Sequence, residues 1–458
     1  MVQDKPSVIL FDGRVATHRL RILIIGGGIA GIAAAFCLGK AGHDITVVEA
    51  APAATEVGAG IQVTPNMSRL LIRWGMGERL GEAGVKPLSV SFRRYSNGER
   101  VGRSPFGTAM EFEYGAPYYH VHRADLLGML LEIAAPYMTL RLGSRVISLN
   151  AQAVSATLAS GEVLYADVIL GADGIKSTTR QSIFAGLSDP VPSGDSVYRA
   201  ILPTAKMMKD PLLKPLISVP EVTCWMGPGK HVVGYCVRGA TEYNLVLLCP
   251  DTMESDSSDS WTAKGDVEEM RSTYRGWEPR VEKLLQLVET ATMGKLVVRR
   301  PLTTWVDSTR RITLIGDACH PMLPYRAQGA AMALEDAAVL GNIFSRLSHK
   351  DHIGQFLDAY QQIRIGRTTS TQAASWSNRK TFHLPDGPAQ ELRDQSMRLA
   401  MVGVPREDSI PEGHKGNANM WADKEKNLEQ FGYDADEAVN EWWRKQRTIP
   451  LHPELSKL

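Results

Sequence analysis

The chain has 458 residues, 44% of them hydrophobic and 22% charged, with a formal net charge of +1. That size supports more than one layered unit around a large core. The near-neutral balance excludes an electrostatic footprint for nucleic acid or an anionic membrane surface, and the apolar stretches are too short to span a bilayer.

Residues 1–19 are polar and lack the apolar centre of a secretory signal. Residues 20–25 (LRILII) predict a buried parallel strand ending at Gly26. The small apolar run from Ile29 to Leu38 predicts a helix stopped near Gly42, and residues 44–49 (DITVVE) return to strand character. A βαβ unit therefore opens the chain. Helical segments are expected at 66–74 and 123–134, among short strands. Between about 195 and 250, SVYRAIL, VTCWMG, HVVGYCVR and YNLVLLC alternate as strands of an antiparallel sheet with one covered face. A polar loop is expected at 251–260, a strand at 312–315, and a long helix from Gly329 to about Leu347. Beyond Asp351 the chain reads as helical, and from Leu384 as increasingly polar and loop-rich.

Cys37, Cys224, Cys236, Cys249 and Cys319 are scattered, odd in number and mostly within apolar runs. This reads as a set of reduced core residues in an intracellular protein, without a metal or disulfide role. The final tripeptide Ser456-Lys457-Leu458 has the form read by the peroxisomal import receptor, so a peroxisomal location is expected, with the cytoplasm as the alternative.

Gly26-Gly27-Gly28-Ile29-Ala30-Gly31 fits G-x-G-x-x-G between a strand and a helix. Such glycines allow a tight turn, close approach of a pyrophosphate and close helix–strand packing, while the helix N-terminus offers N–H groups to phosphate. Glu49 ends the second strand, where a carboxylate accepts hydrogen bonds from ribose hydroxyls. This motif leaves FAD and NAD both open.

Two further segments narrow the choice. Val168–Leu170 leads into Gly171-Ala172-Asp173-Gly174, with Ser177 and Arg180 following. Then 312–315 leads into Gly316-Asp317-Ala318-Cys319-His320-Pro321, with Gln328-Gly329 and Glu335-Asp336-Ala337 beyond. In this order the three motifs resemble the aromatic-ring flavoprotein monooxygenases, closest to the salicylate hydroxylase-like branch, over about residues 18–380. The resemblance implies an α/β fold: a Rossmann-like FAD-binding domain interleaved with a substrate domain on an antiparallel β-sheet, plus C-terminal helices. The expected division is 18–190 for the first part of the FAD domain, with substrate-domain insertions, and 191–299 for the substrate sheet. Residues 300–350 would complete the FAD domain, and 351–458 would form a helical region and tail.

The resemblance also assigns roles. Asp317 would hold a ribityl hydroxyl of FAD, Arg123 would contact FAD, and Asp173 belongs to a segment associated with FAD and NAD(P)H, although strand-end aspartates also serve as turn caps. Gly329 and Ala330 would open a helix whose N-terminus faces the flavin, and Ala50 and Pro324 join the cofactor contacts. Ala327 stands where many relatives carry glycine, which implies a stiffer loop, and Tyr325 and Arg326 beside it are open between ligand contact and packing. With one dinucleotide motif, the implied scheme is resident FAD with NADH or NADPH as transient donor, and hydroxylation of an electron-rich ring through a flavin C4a-hydroperoxide.

For substrate binding, Arg199 sits in an apolar strand, an expensive place for a charge without an anionic partner. Alternation puts His231, Val233, Tyr235 and Val237 on one face, so His231 and Tyr235 are candidates to hydrogen-bond a phenolate or carboxylate. His320 is expected to orient its loop, and Trp225 and Met226 to line an apolar wall or the core. The leading expectation is hydroxylation of a phenolic acid, with loss of CO2 where the attacked carbon carries the carboxylate. Dearomatising hydroxylation of a polyketide phenol, epoxidation of an indole alkaloid and a non-oxygenase FAD-binding role stay open. The W-x-W-x-I-P signature of flavin halogenases is absent. Partners are limited to a small aromatic substrate, O2 and NAD(P)H, in a monomer or homodimer.

Overall fold

Five parallel strands set the frame: Ile312–Leu314, Val168–Gly171, Arg21–Ile25, Asp44–Val48 and Met138–Arg141, adjacent in that order. They belong to a computed structural model that describes residues 8–448 except 54–58, 185, 187–188, 252–262 and 403–419. The Ser456-Lys457-Leu458 end lies outside the described residues. A parallel sheet is covered on both faces, which is why RILII is apolar throughout its last four residues, all of them buried. On one face Ile29–Lys40 and Gly329–Phe344 join Met67, Trp74, Leu126 and Leu130 in the largest core. On the other, a small antiparallel sheet (Val146–Asn150, Ser155–Leu158, Val163–Tyr165) covers Leu23, Ile25, Val48 and Ile169.

The second sheet has eight strands, with Val191–Pro203, Glu242–Pro250, Lys230–Val237 and Glu221–Gly227 side by side at its centre. Strict alternation sorts its side chains. Tyr198, Trp225, Val232, Tyr243 and Leu245 face an outer layer with Val281, Leu284 and Leu285. Val197, Met226, Tyr235, Val237 and Leu248 face inward, with Leu323 and Tyr325. Trp225 and Met226 are adjacent, so they lie on opposite faces: Met226 joins the inner cluster, whereas Trp225 donates its indole N–H to the Glu278 carboxylate in the outer layer.

Several elements differ from the sequence reading. The expected antiparallel sheet contains one parallel pair, Glu221–Gly227 with Ser89–Arg94, because residues 89–105 supply two of its strands. The 196–202 strand extends to Val191–Pro203, with an irregularity between Pro192 and Asp195. The helix expected at 66–74 ends at Leu71 and passes into a wider turn, with Gly75 at φ +87°. Among the described residues the expected loop-rich tail holds three α-helices instead: Pro388–Met401, Lys424–Phe431 and Ala435–Thr448. Their polar composition concealed them, since tertiary contacts stabilise them. Met397 packs into the inner core, Val439 and Trp443 pack into the largest one, and Arg393 pairs with Asp394 at 2.7 Å.

All five cysteines are buried and free. No helix among the described residues is long and apolar enough to cross a membrane.

Candidate active site

The three glycine-containing turns meet at the carboxyl ends of the parallel strands. Gly26 has φ +109°, and a Cβ there would fall 2.4 Å from the Ala172 carbonyl oxygen, which joins the first turn to the second. A Cβ on Gly316 would fall 2.9 Å from Ala30 Cβ, which joins the third. Gly31 lies so close to the first turn that a Cβ would sit 1.9 Å from the Gly26 oxygen, so only glycine lets Ile29–Lys40 start there. A Cβ on Gly28 would meet nothing within 4 Å. This open backbone precedes a helix whose first intrahelical bond runs from the Ile32 N–H to Gly28 O, leaving the Ile29, Ala30 and Gly31 amides ahead of it.

Glu49 braces that turn. Its carboxylate accepts from the Gly27 N–H and, just beyond Ala50, from the Ala51 N–H, each at 2.7 Å. Each carboxylate oxygen keeps a second lone pair for a ribose hydroxyl. Asp173 is engaged otherwise. Its two oxygens accept from Ser177 Oγ at 2.5 Å, the Thr179 N–H at 2.9 Å and Thr179 Oγ1 at 3.1 Å, so it fastens the start of Thr178–Ile183. Those contacts are the turn-and-cap chemistry open to a strand-end aspartate. Arg180 then reaches the third motif, donating to Ala318 O at 3.2 Å and Cys319 O at 3.3 Å.

Asp317 is accessible to solvent although buried residues flank it in sequence. Its carboxyl is raised above the ordinary range by burial, against the opposing pull of His320 and Arg123. An accessible side chain crowded by protein lines a deep cleft. A Cβ on Gly329 would fall 4.0 Å from Asp317 Oδ1, so this carboxylate and the N-terminus of Gly329–Phe344 share the cleft. Pro324 opens the short turn Pro324–Arg326, which leads to Ala327 in the left-handed region (φ 54°, ψ 39°). A side chain there costs about 1–2 kcal/mol, which glycine avoids. Gln328 is anchored on Thr64 Oγ1 and by Asn66 Nδ2, both at 3.0 Å, and Ala330 follows in the first turn of the helix.

Behind the cleft lies a buried ionic network. Arg364, fully buried, donates to Asp336 Oδ1 at 2.9 Å and Glu335 Oε2 at 2.6 Å. Asp336 Oδ2 accepts from the Gly316 N–H at 3.0 Å and lies 2.6 Å from His320 Nε2. Burial works against a charged His320, but Cys319 and Asp336 lift its imidazole well above the ordinary value. His320 thus ties its turn to Asp336 on the helix Gly329–Phe344. Cys319, His320 and Asp336 cluster closely enough to suggest a metal site, yet both Asp336 oxygens already serve Arg364, Gly316 and His320.

The inner face of the second sheet closes the cleft. Arg199 is half-buried, and its guanidinium is pushed down to about 10, by burial first and then by the like charge of Arg123, while Tyr235 opposes the fall. Arg123 opens Arg123–Ala134 and also acts on Asp317, so it stands between the cofactor acid and the pocket arginine. Tyr235 is buried, with its ring 4.4 Å from His120. Its hydroxyl is raised by burial, against Gln62 and Arg199. His231 shares that strand face, but its ring lies among Tyr325 at 5.2 Å, Phe382 at 5.3 Å and His383 at 5.0 Å. Tyr325 donates its hydroxyl to Asp195, and Arg326 is buried within electrostatic reach of Asp423 and Glu429, so both serve packing.

Sequence reasoning missed Gln62, His120 and Asn244 around Tyr235, because loop and strand residues far apart in sequence meet only in the fold. It also missed Arg364, whose signal was a charge opposite Glu335-Asp336 inside a helical pattern.

The sequence profile of the FAD binding domain matches residues 19–375. The chain belongs to this family. An FAD-dependent monooxygenase of Beauveria bassiana is 40% identical over 382 residues, covering 82% of this chain and 89% of the relative. A 3-amino-4-hydroxybenzoate 2-monooxygenase of Streptomyces platensis is 35% identical over 389 residues, covering 84% and 94%. A salicylate hydroxylase substrate complex shares the fold, with TM-score 0.74 and 24% identity over 93% of this chain and 98% of that one. The protein is an FAD-dependent monooxygenase of the aromatic hydroxylase family, with NAD(P)H as the family's usual donor. FAD fits the residues present: the open backbone at Gly28, the braced Glu49 and the cleft-lining Asp317 suit diphosphate, ribose and ribityl groups in turn.

Proposed function

We propose that the enzyme hydroxylates a phenolic aromatic acid. The observation that carries this reading is the grouping of Arg199, Arg123 and Tyr235, two guanidinium groups and a phenol on the inner wall of the cleft. A carboxylate is the planar partner a guanidinium binds best. The Streptomyces relative, whose name gives an aminohydroxybenzoate as substrate, supports the same class.

Bound FAD supplies electron transfer from NAD(P)H and the activation of O2. The chain supplies the rest. Arg199 binds the carboxylate, and Tyr235 orients the ring by hydrogen bonding. His231, on the same strand face, is the candidate acceptor of the phenolic proton, which would leave an electron-rich phenolate. Met226, Leu323 and Val237 exclude water along the inner wall. Where the hydroxylated carbon carries the carboxylate, CO2 leaves with the insertion.

The test is turnover of the FAD-loaded enzyme under 18O2 with salicylate, 4-hydroxybenzoate and 3-amino-4-hydroxybenzoate, beside the matching phenols and indole. One labelled oxygen in a phenolic-acid product is the expected result, and product mass reads retention or loss of CO2. Labelled product from indole or a neutral phenol alone would overturn the assignment.

A further inference from the structure

We infer that Asp195 and the Tyr325 hydroxyl pin the 321–328 segment to the eight-stranded sheet, and that this pin governs how long bound FAD is retained. Both are positioning residues, and their role concerns FAD whatever aromatic substrate the enzyme takes. The segment runs from the turn that carries Asp317 to Gly329, the two residues that share the cofactor cleft. A Cβ on Gly329 would fall 3.9 Å from Met322 Cγ, so the segment itself forms part of that cleft wall. Leu323 and Tyr325 pack instead into the core at the inner face of the eight-stranded sheet. A shift of 321–328 therefore moves the cofactor wall and the sheet contact together.

The segment depends on outside contacts for its shape. Ala327 has φ 54° and ψ 39°, left-handed backbone that a residue with a side chain keeps where its surroundings impose it. Side chains from two other elements do so. Gln372 and Asn378, on the long helix Ile353–Phe382, donate to the Pro321 and Tyr325 carbonyls at 2.8 and 3.0 Å. Asp195 acts from the sheet. It lies two residues before Val197 on the same face of Val191–Pro203, just past the irregularity in that strand. It is 1% exposed, and its carboxylate accepts the Tyr325 hydroxyl together with Arg379 Nε at 2.5 Å and Nη2 at 2.7 Å. Arg379 belongs to the same long helix, so one carboxylate ties sheet, segment and helix at a single point. The Tyr325 ring is flanked by His231 at 5.2 Å and His383 at 5.8 Å. Loss of the hydroxyl therefore leaves both the ring packing and the Asp195–Arg379 pair in place.

The test measures FAD release from FAD-loaded full-length enzyme, followed as loss of flavin fluorescence anisotropy after dilution, beside the Tm of the apoprotein. Tyr325→Phe removes one hydrogen bond to a charged group, and should speed release roughly tenfold while apoprotein Tm stays close to that of wild type. Asp195→Asn should act in the same direction. Tyr325→Phe added to it should speed release much less than in wild type, because the charged acceptor is already gone. An unchanged release rate in Tyr325→Phe would overturn the pin. So would fully additive effects in the double variant, which would make the two residues independent packing positions. If Asp195→Asn does not fold, Tyr325→Phe decides the question by itself.

Discussion

Arg199 and Arg123 stand within electrostatic reach of one another, although one lies on a strand of the eight-stranded sheet and the other opens a helix beside the parallel sheet. Neither element alone makes the positive wall. The fold brings these two guanidinium groups together where the parallel sheet and the eight-stranded sheet meet.

Replacing Arg199 should therefore damage substrate binding and spare the cofactor. Arg199→Ala is expected to raise KM for a phenolic acid roughly 10- to 100-fold, the worth of a charge-assisted hydrogen bond of about 1.5–3 kcal/mol. Flavin content should be unchanged. Steady-state kinetics with the 450 nm to 280 nm absorbance ratio reads both, and loss of flavin would show that Arg199 belongs to the FAD site instead.

Asp317 should behave in the opposite sense. Its carboxylate lines the cleft beside the N-terminus of Gly329–Phe344. Asp317→Ala is expected to weaken FAD binding by roughly tenfold or more. Titration of apoprotein with FAD, followed by flavin fluorescence quenching, measures it, and unaltered affinity would remove Asp317 from the cofactor site.

The Arg364 network is structural, and its loss should appear in stability. Arg364→Ala leaves Glu335 and Asp336 buried with fewer partners, a change expected to cost about 3–5 kcal/mol. Arg367 moderates the loss at Glu335, where its Nη2 donates to Oε1 at 2.7 Å, but it has no such bond to Asp336. Thermal denaturation of the holoenzyme should show a large fall in Tm, and an unchanged Tm would mean that the network is dispensable.

The frame of the fold was legible because its signals are local. Strand, glycine turn and helix follow one another at Arg21–Ile25 and Ile29–Lys40, and alternation between 195 and 250 marks the sheet. Alternation also set His231 and Tyr235 on one strand face, and the apolar run around it singled out Arg199. The remainder depends on contacts between distant segments. Asp173 is a candidate cofactor residue by its motif, and the fold adds what the motif could not show, its bonds to Ser177 and Thr179 a few residues on. His383 carried no signal, since only the fold places it 2.7 Å from His231. The helices at Pro388–Met401, Lys424–Phe431 and Ala435–Thr448 are amphipathic, but their polar average composition read as loop.

Acid should destabilise the protein well before its carboxylates protonate. Burial pushes His43 down to about 4, His120 to about 3 and His383 to about 4, and His231 lies well below the ordinary value. Each folded-state pKa is below that of the unfolded chain, so the unfolded state binds more protons and stability falls as pH drops. The window runs from about 6.5, where unfolded histidine titrates, down to the folded values. His320 has the opposite shift, and its contribution is retained across that window. Tm should decrease progressively between pH 7 and pH 5, and a flat or rising profile would contradict the neutral burial of these rings.

The most direct test of the central claim compares 4-hydroxybenzoate with phenol, and salicylate with catechol, in wild-type and Arg199→Ala enzyme. NAD(P)H oxidation and oxygenated product are measured together. The expected result is faster, product-coupled oxidation with an acid than with its partner in wild type, and collapse of that preference in Arg199→Ala while FAD stays bound. Equal coupling to acids and neutral phenols, unchanged by the substitution, would contradict a site built to hold a phenolic carboxylate.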